Sequence, residues 1–362
     1  MPLSFSEAGA ASALSRLSFC TPRRLRNLFR RSGSFENLWQ CDTKLLQESG
    51  LSDEQIRRFF EARAEKQWER DASMLEKEHI VSITPEDSLF PRLLQEISDP
   101  PAVLHIRGTI ISDAVAVAIV GTRRASSYGI QIAQECAEVL AHAGVVVVSG
   151  LALGIDTAAH QATVRAGGKT WAFLASGICD TDIYPPGNRR LAEQIIASGG
   201  ALLSEFPPGV AGFKYLFPIR NRLIAGISLG TVVIEAAEKS GSLITASAAL
   251  GYNREVFAVP ADIRRHTSQG TNLLIKNGAH CITNPGDILT VLGLTEERPK
   301  SIHGANEDEQ KLLSFLSREP LHIDELGRRM QCSIGFIAQI LSHLELSGHA
   351  RSIGGSQWIR RT

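Results

Sequence analysis

Residues 114–129 read AVAVAIVGTRRASSYG. An apolar, β-branched run of strand length ends at Gly121 and passes into a basic turn rich in small hydroxyls. Similar runs recur at 145–148, 170–175, 201–203, 231–234 and 256–259, with helical periodicity between them at 128–142, 157–166, 189–197, 223–227 and 243–252. Buried strands separated by helices predict an α/β fold built on a doubly wound parallel sheet. Ligands of such sheets bind beyond the carboxyl ends of the strands. The segments expected there are GTRRASSYG, SGLALGID, SGICDTDIYPPG, SEFPPG and EAAEKSGSLITA. Each is rich in glycine and small hydroxyls, which expose backbone amides and let an anion approach. One Gly-rich turn says little; five on one sheet edge predict a surface for something phosphorylated.

The stretch 214–226, KYLFPIRNRLIAG, supplies what such an edge lacks. Lys214, Arg220 and Arg222 surround Tyr215, Phe217 and Pro218, with Asn221 between the arginines. Cations that neutralise phosphates beside faces on which bases stack suit a single-stranded nucleic acid. Pro218 can open a helix without wasting an amide, which puts the arginines near a helix N-terminus. The alternative is a solvated helix start whose arginines pair with carboxylates.

The 362-residue length predicts two or three domains. Lysine plus arginine and aspartate plus glutamate both total 38, so any nucleic-acid site must be a local patch. The start lacks a secretory pattern, and no apolar run reaches the length of a membrane span. Six scattered cysteines without a C-x-x-C pair fit a reducing cytosol, and neither metal nor cofactor is expected. Residues 1–78 read as helices only, at 12–17, 22–29, 35–38, 43–48 and a long segment 52–78 N-capped by Ser52. Such short helices resemble the helix-hairpin-helix and sterile-alpha-motif-like (SAM-like) bundles that accompany DNA. Arg23, Arg24, Arg26, Arg30 and Arg31 cluster there, but acids nearby in the sequence make this read as a solvated face. A polar linker at 295–306 precedes helices at 307–317, 323–330 and 333–346, capped by Asp324 and Ser333 at the last two. Strands at 349–353 and 357–360 then complete a winged-helix plan. Its third helix is poor in cations, which favours a protein contact over duplex reading.

Four lookalikes carry no chemistry. Gly168-Lys169-Thr170 precedes a strand where a P-loop follows one. Ser228 in GISLG leads into a strand, so no nucleophile elbow can form. Asp156 and His160, four apart, read as a helix N-cap and a hydrogen-bonded histidine. Gly121-Thr122-Arg123 does not continue as a dinucleotide fingerprint.

Taken together, SGLALGIDTAAH, IYPPGNRRLAEQI, LLSEFPPG, FPIRNRLIAGIS, VVIEAAEKSGSLITA and REVFAVPADI followed by GTNLLIKNGA resemble the DNA-processing protein A family (DprA, or Smf). The likeness runs over nearly the full length; Ala261 stands where members commonly have glycine. The resemblance implies an extended Rossmann-like domain at 79–294 between the helical domain at 1–78 and a winged helix at 307–362. It implies a cytoplasmic, non-enzymatic protein that binds incoming single-stranded DNA in natural transformation, protects it and helps load the RecA recombinase. Residue by residue, it assigns DNA contact to Gly121 and Arg123, to Lys214 and Phe217, and to Arg220, Asn221 and Arg222. Ser149, Gly150, Ser176 and Gly177 would add loop amides and hydroxyls. A homodimer surface is implied around residues 272–282, with RecA contacting the same end. The competing enzyme reading rests on Gly230, Thr231 and Glu235, which resemble part of the lonely-guy type of nucleotide phosphoribohydrolase. The P-G-G-x-G-T of those enzymes is missing. A purely protein-binding scaffold would leave the cation–aromatic patch unexplained.

Overall fold

A computed structural model describes residues 1–294, 307–317 and 319–360, which fall into two compact units, one before and one after residues 295–306 in the chain. The expected linker therefore lies outside the described residues.

The first unit is organised on a nine-stranded sheet. Its strands are β1 (Val81–Ile83), β2 (Leu104–Gly108), β3 (Ala116–Val120), β4 (Val146–Ser149), β5 (Thr170–Phe173), β6 (Ala201–Ser204), β7 (Gly230–Val233), β8 (Glu255–Ala258) and β9 (His280–Cys281), in the order β1-β2-β6-β5-β4-β3-β7-β8-β9. From β6 to β9 every pairing is parallel, as the apolar runs predict. β2 pairs antiparallel with both β6 and β1, so the sheet is mixed at one end. β1, β2 and β9 are absent from the sequence reading.

Each apolar run divides its side chains by parity, the period of a strand. Ala116, Ala118 and Val120 face one core with Val146 and Val148, while Val117 and Ile119 face the other with Val145 and Val147. Helix Leu216–Ile227 contributes to the first core; helices Ser127–His142 and Ile155–Arg165 contribute to the second. The chain winds from β3 outward through β4, β5 and β6, then returns through helix Leu216–Ile227 to lay β7 on the other side of β3. The strand order thus reverses between β3 and β7. After β3 the chain enters a helix of the second core, and after β7 it enters helix Gly241–Gly251, whose Ala246 and Ala249 lie in the first. The two connections diverge and leave a crevice.

The amino-terminal helices are Phe5–Ser15, Pro22–Ser32, Phe35–Gln40, Thr43–Glu48, Asp53–Ala64 and Gln67–Lys77. Ser52 caps the fifth through a reciprocal capping box with Gln55. The single long helix expected over 52–78 is two, broken where Lys66 turns left-handed at φ 53°. These helices have their own core around Leu14, Phe35, Trp39 and Phe59, which also takes in Ala102 and Val103. Ala8, Leu75 and Ile80 pack with Ala172 and Leu202 of the sheet. Buried Asp71 accepts from Arg16, whose guanidinium also donates to the Pro208 carbonyl after β6. Bundle and sheet are one body.

The second unit is a winged helix. Helices Glu307–Phe315, Ile323–Met330 and Ile334–Leu346 pack around Leu312, Leu326, Ile337 and Leu341. Strands Leu321–His322, Gln357–Arg360 and Ala350–Gly354 pair in that order, the first of them unforeseen. Ser333 caps the third helix as expected. The second is capped by His322, which accepts from the Asp324 amide, so Asp324 belongs to the first turn.

Candidate nucleic-acid interface

The crevice between β3 and β7 is a cleft of about 390 Å³. Its walls are the 121–124 loop, helix Leu216–Ile227 and the start of helix Gly241–Gly251, represented by Arg123, Arg124, Phe217, Asn221, Gly241 and Ser242.

The loop carrying Arg123 is pinned at several points. The Thr122 amide donates to the Glu235 carbonyl at 2.8 Å, and the Thr122 carbonyl accepts from Ile155 at 3.3 Å. Gly121 sits where a β-carbon would overlap the Ile155 side chain, and Gly154, at φ 81°, where one would collide with the Thr122 carbonyl. The Glu235 carboxylate, 1% exposed, accepts from both the Ser126 amide (2.9 Å) and the Ser126 hydroxyl (2.6 Å). Glu235 therefore holds the loop, and the acid of the enzyme reading is already engaged.

Arg123 emerges exposed, with its guanidinium carbon 4.5 Å from the centre of the Phe217 ring and no ion-pair partner among the described residues. The ring is half-buried and also touches Tyr184 at 6.1 Å between centroids. Lys214 and Arg124 are exposed and, among the described residues, have no carboxylate partner. Phe213 and Tyr215, 51% and 67% exposed, stack 5.8 Å apart on either side of Lys214 in the chain. The helix they precede starts at Leu216, so Pro218 falls in its first turn at no cost in amide bonding. The N-terminus of helix Gly241–Gly251, lined by Ser240, Gly241 and Ser242, presents the positive end of a dipole to the same cleft.

Arg220 does not share this exposure. It is 3% exposed and donates to the Gly150 carbonyl (2.8 Å) and the Phe173 carbonyl, with Nε to Asn221 at 3.2 Å. Burial brings its pKa down to about 10, against the favourable field of Asp156. Asp156, buried in turn, has its carboxyl pushed up by desolvation, opposed by Arg220 and by amides of Ala152 and Gly150. Those bonds, 3.3 and 3.0 Å long, tie down the loop after β4; the N-cap of helix Ile155–Arg165 is Gly154, not Asp156. Arg222 is engaged as well, with Glu205 and with the Asp99 carbonyl at 2.7 Å. For Arg222 the paired-arginine alternative describes the structure. Asn221 staples the helix to the Gly241 carbonyl at 3.2 Å.

The loop serines and glycines expected to meet the ligand are turned inward. The Ser149 hydroxyl donates to Ile119 and that of Ser176 to Gly177. The Gly150 amide is spent on Asp156 and the Gly177 amide on Val210. A β-carbon at 150 would strike the Arg220 guanidinium, so glycine there admits the buried arginine, not a phosphate. Of the expected residues, Gly121, Arg123, Phe217, Arg220 and Asn221 border the cleft. Arg124, Phe213 and Tyr184 were missed; Arg124 stood next to Arg123 in the same basic turn, whereas nothing local marks the other two. What is exposed can bind a phosphodiester with two or three cations and stack a base on an aromatic ring.

Comparison with known proteins gives the family and the fold. A model of the family described as DNA recombination-mediator protein A matches residues 81–293, and one for the DprA winged helix domain matches residues 296–356. Protein Smf of Escherichia coli K12 is 35% identical over 332 residues, covering 88% of each chain. The X-ray structure of DNA processing protein A from Streptococcus pneumoniae aligns with a TM-score of 0.64 at 33% identity, over 80% of this chain and 98% of that one. A Helicobacter pylori structure, described as giving the single-stranded DNA binding mode of its DNA processing protein A, aligns at 0.52 and 32% identity over 58% of this chain and 95% of that one.

Proposed function

Because this chain belongs to the DNA recombination-mediator protein A family, we propose that it binds single-stranded DNA in the cleft between β3 and β7. Acting as a cytoplasmic homodimer, it protects incoming strands during natural transformation and helps load the RecA recombinase onto them. It works by binding, not by catalysis. The observation that carries the reading is the exposed Arg123 guanidinium over the Phe217 ring, with exposed Lys214 three residues before that ring in the chain and without a carboxylate partner among the described residues. Arg123, Arg124 and Lys214 grip phosphates, and the positive helix end of Gly241–Gly251 adds to their field. Phe217 takes a base face, which every base has, so binding is indifferent to sequence. Arg220, Asn221, Ser149, Gly150, Ser176 and Gly177 build the cleft from behind. Exposed Leu273 and the edge strand β9, both within residues 272–282, support a self-association surface there. Two clefts on one strand would raise avidity without new contacts.

The test is a salt titration of binding to fluorescent oligo-dT and to a matched duplex. Wild type should prefer the single strand, and Arg123→Ala/Lys214→Ala should flatten the logarithmic salt slope on oligo-dT by about 1.4, near 0.7 for each lost contact. An unchanged slope in the variant would move the strand elsewhere.

A further inference from the structure

Helix Pro22–Ser32 carries Arg23, Arg24, Arg26, Arg30 and Arg31. In the sequence this cluster lies among acids; in the structure those acids are mostly elsewhere. Among the described residues one carboxylate, Glu86, comes within ion-pair distance of any of the five, at 3.4 Å from Arg30. Arg24, Arg26 and Arg31 donate only to main-chain carbonyls, of Phe19 (3.2 Å), Pro100 (2.7 Å) and Glu48 (2.8 Å), which position a guanidinium without neutralising it. Arg23 is exposed and makes no polar contact among the described residues. In a chain with no net charge, this is a concentrated positive field.

The face has shape as well as charge. Arg23, Arg26 and Arg30 line a cleft of about 520 Å³ whose far wall holds Glu86, Ser98 and Pro100. Arg23, Arg24 and Arg31 line a second, of about 310 Å³, with Thr21 and Ser49. Positions 23, 26 and 30 are three and four apart, so they form one row spanning roughly 10 Å at 1.5 Å per residue. Neither cleft has an aromatic lining residue, and the apolar ones, Leu28 and Ile97, are buried. A protein-docking surface would be expected to offer an apolar anchor. Guanidinium forks without an anchor or a stacking ring match phosphate and nothing else about a nucleic acid. The Arg26 row also adjoins the cleft helix, since Arg26 donates to the carbonyl of Pro100 and Arg222 to that of Asp99.

We propose that the arginine face of helix Pro22–Ser32 is a second nucleic-acid site, one that grips the phosphodiester backbone whether or not the bases are paired. It is physically separate from the β3–β7 cleft and does not require that cleft to bind. Together the two sites would let the protein hold a single strand beside a duplex, or a longer run of one strand.

The experiment uses the full chain carrying Arg123→Ala/Lys214→Ala, which silences the cleft, with and without added Arg23→Ala/Arg30→Ala. Binding of a fluorescent duplex is followed against salt. The cleft variant should still bind duplex, and the added pair should reduce its logarithmic salt slope by about 1.8, near 0.9 for each lost contact. Arg23→Lys/Arg30→Lys should restore the slope, because charge and not packing is at issue, and matching thermal melts show the fold intact. Loss of all duplex binding in the cleft variant, or a slope indifferent to Arg23 and Arg30, would overturn the proposal. Polyglutamate displacing the duplex as well as unlabelled DNA does, charge for charge, would overturn the assignment to nucleic acid.

Discussion

Arg123 and Arg220 flank the same phenylalanine, their guanidinium carbons 4.5 and 5.8 Å from its centre, yet they do opposite work. Arg123 faces solvent, where its charge is available to a phosphate. Arg220 is sealed against two carbonyls and the field of Asp156, where its guanidinium ties helix Leu216–Ile227 to the loop after β4 and to the end of β5. Arg220→Ala should therefore cost about 3 kcal/mol of stability, because it strips Asp156 of its cation and two carbonyls of their donor. The urea midpoint would show it directly. Arg123→Ala should leave that midpoint within about 0.5 kcal/mol of wild type while flattening the salt slope. Phe217→Ala should lose about 1–3 kcal/mol of single-strand binding with little change in slope, since a ring carries no charge. The signal separating the two arginines was present in the sequence. Leu216, Arg220, Leu223, Ile224 and Ile227 recur at helical spacing and form the buried stripe. Reading the FPIRNR cluster as one basic patch overlooked that phase.

Strands that coincide with an uninterrupted apolar run were readable, and strands without one were not. The six apolar runs became β3 to β8, whereas β1, β2 and β9 have two to five residues and no uninterrupted apolar run. The break at Lys66 carries neither glycine nor proline to announce it. Helix Ile155–Arg165 and β5 meet at His160, whose ring packs with no exposure. Thr170 gives its one hydroxyl proton to the Val147 carbonyl at 2.6 Å, so His160 Nδ1 must donate to Thr170 across 2.7 Å. Nε2 is then the bare nitrogen, buried without a hydrogen-bond partner among the described residues. Desolvation, helped by the charge of Arg220, depresses the imidazole pKa to about 3. A base whose folded pKa is lowered contributes stability that is whole above the unfolded value near 6.5 and is lost as pH falls toward 3. The loss approaches about 1.4 kcal/mol per pH unit in that window. Relative to His160→Gln, wild type should therefore weaken more between pH 6.5 and 4.5 in urea melts. Parallel pH profiles would show instead that the folded imidazole takes up its proton as the unfolded one does, and that burial does not hold it neutral.

At the scale of the whole molecule, the winged helix is a compact unit of its own, and its third helix exposes Ile334, Phe336 and Leu346 with no cation among them. A chain ending at residue 294 should keep single-strand binding with the wild-type salt slope, because every charge proposed to contact DNA lies before that point. A flattened slope would assign the lost contacts to the removed segment. The sequence alone determined the α/β class, the winged-helix plan, the loops of the carboxyl edge and the family, because each rests on local periodicity or on a contiguous motif. Tertiary structure alone decided where the strand order reverses, since that depends on β7 returning to pair with β3 across more than a hundred residues. It also decided which polar groups were left over for a ligand. Glu235, Asp156, Arg220, Ser149 and Ser176 all look like site residues until their partners, mostly distant in the chain, come into place. Burial then commits each to a hydrogen bond inside the protein, because an unpaired polar group there is costly. What remains exposed is the site.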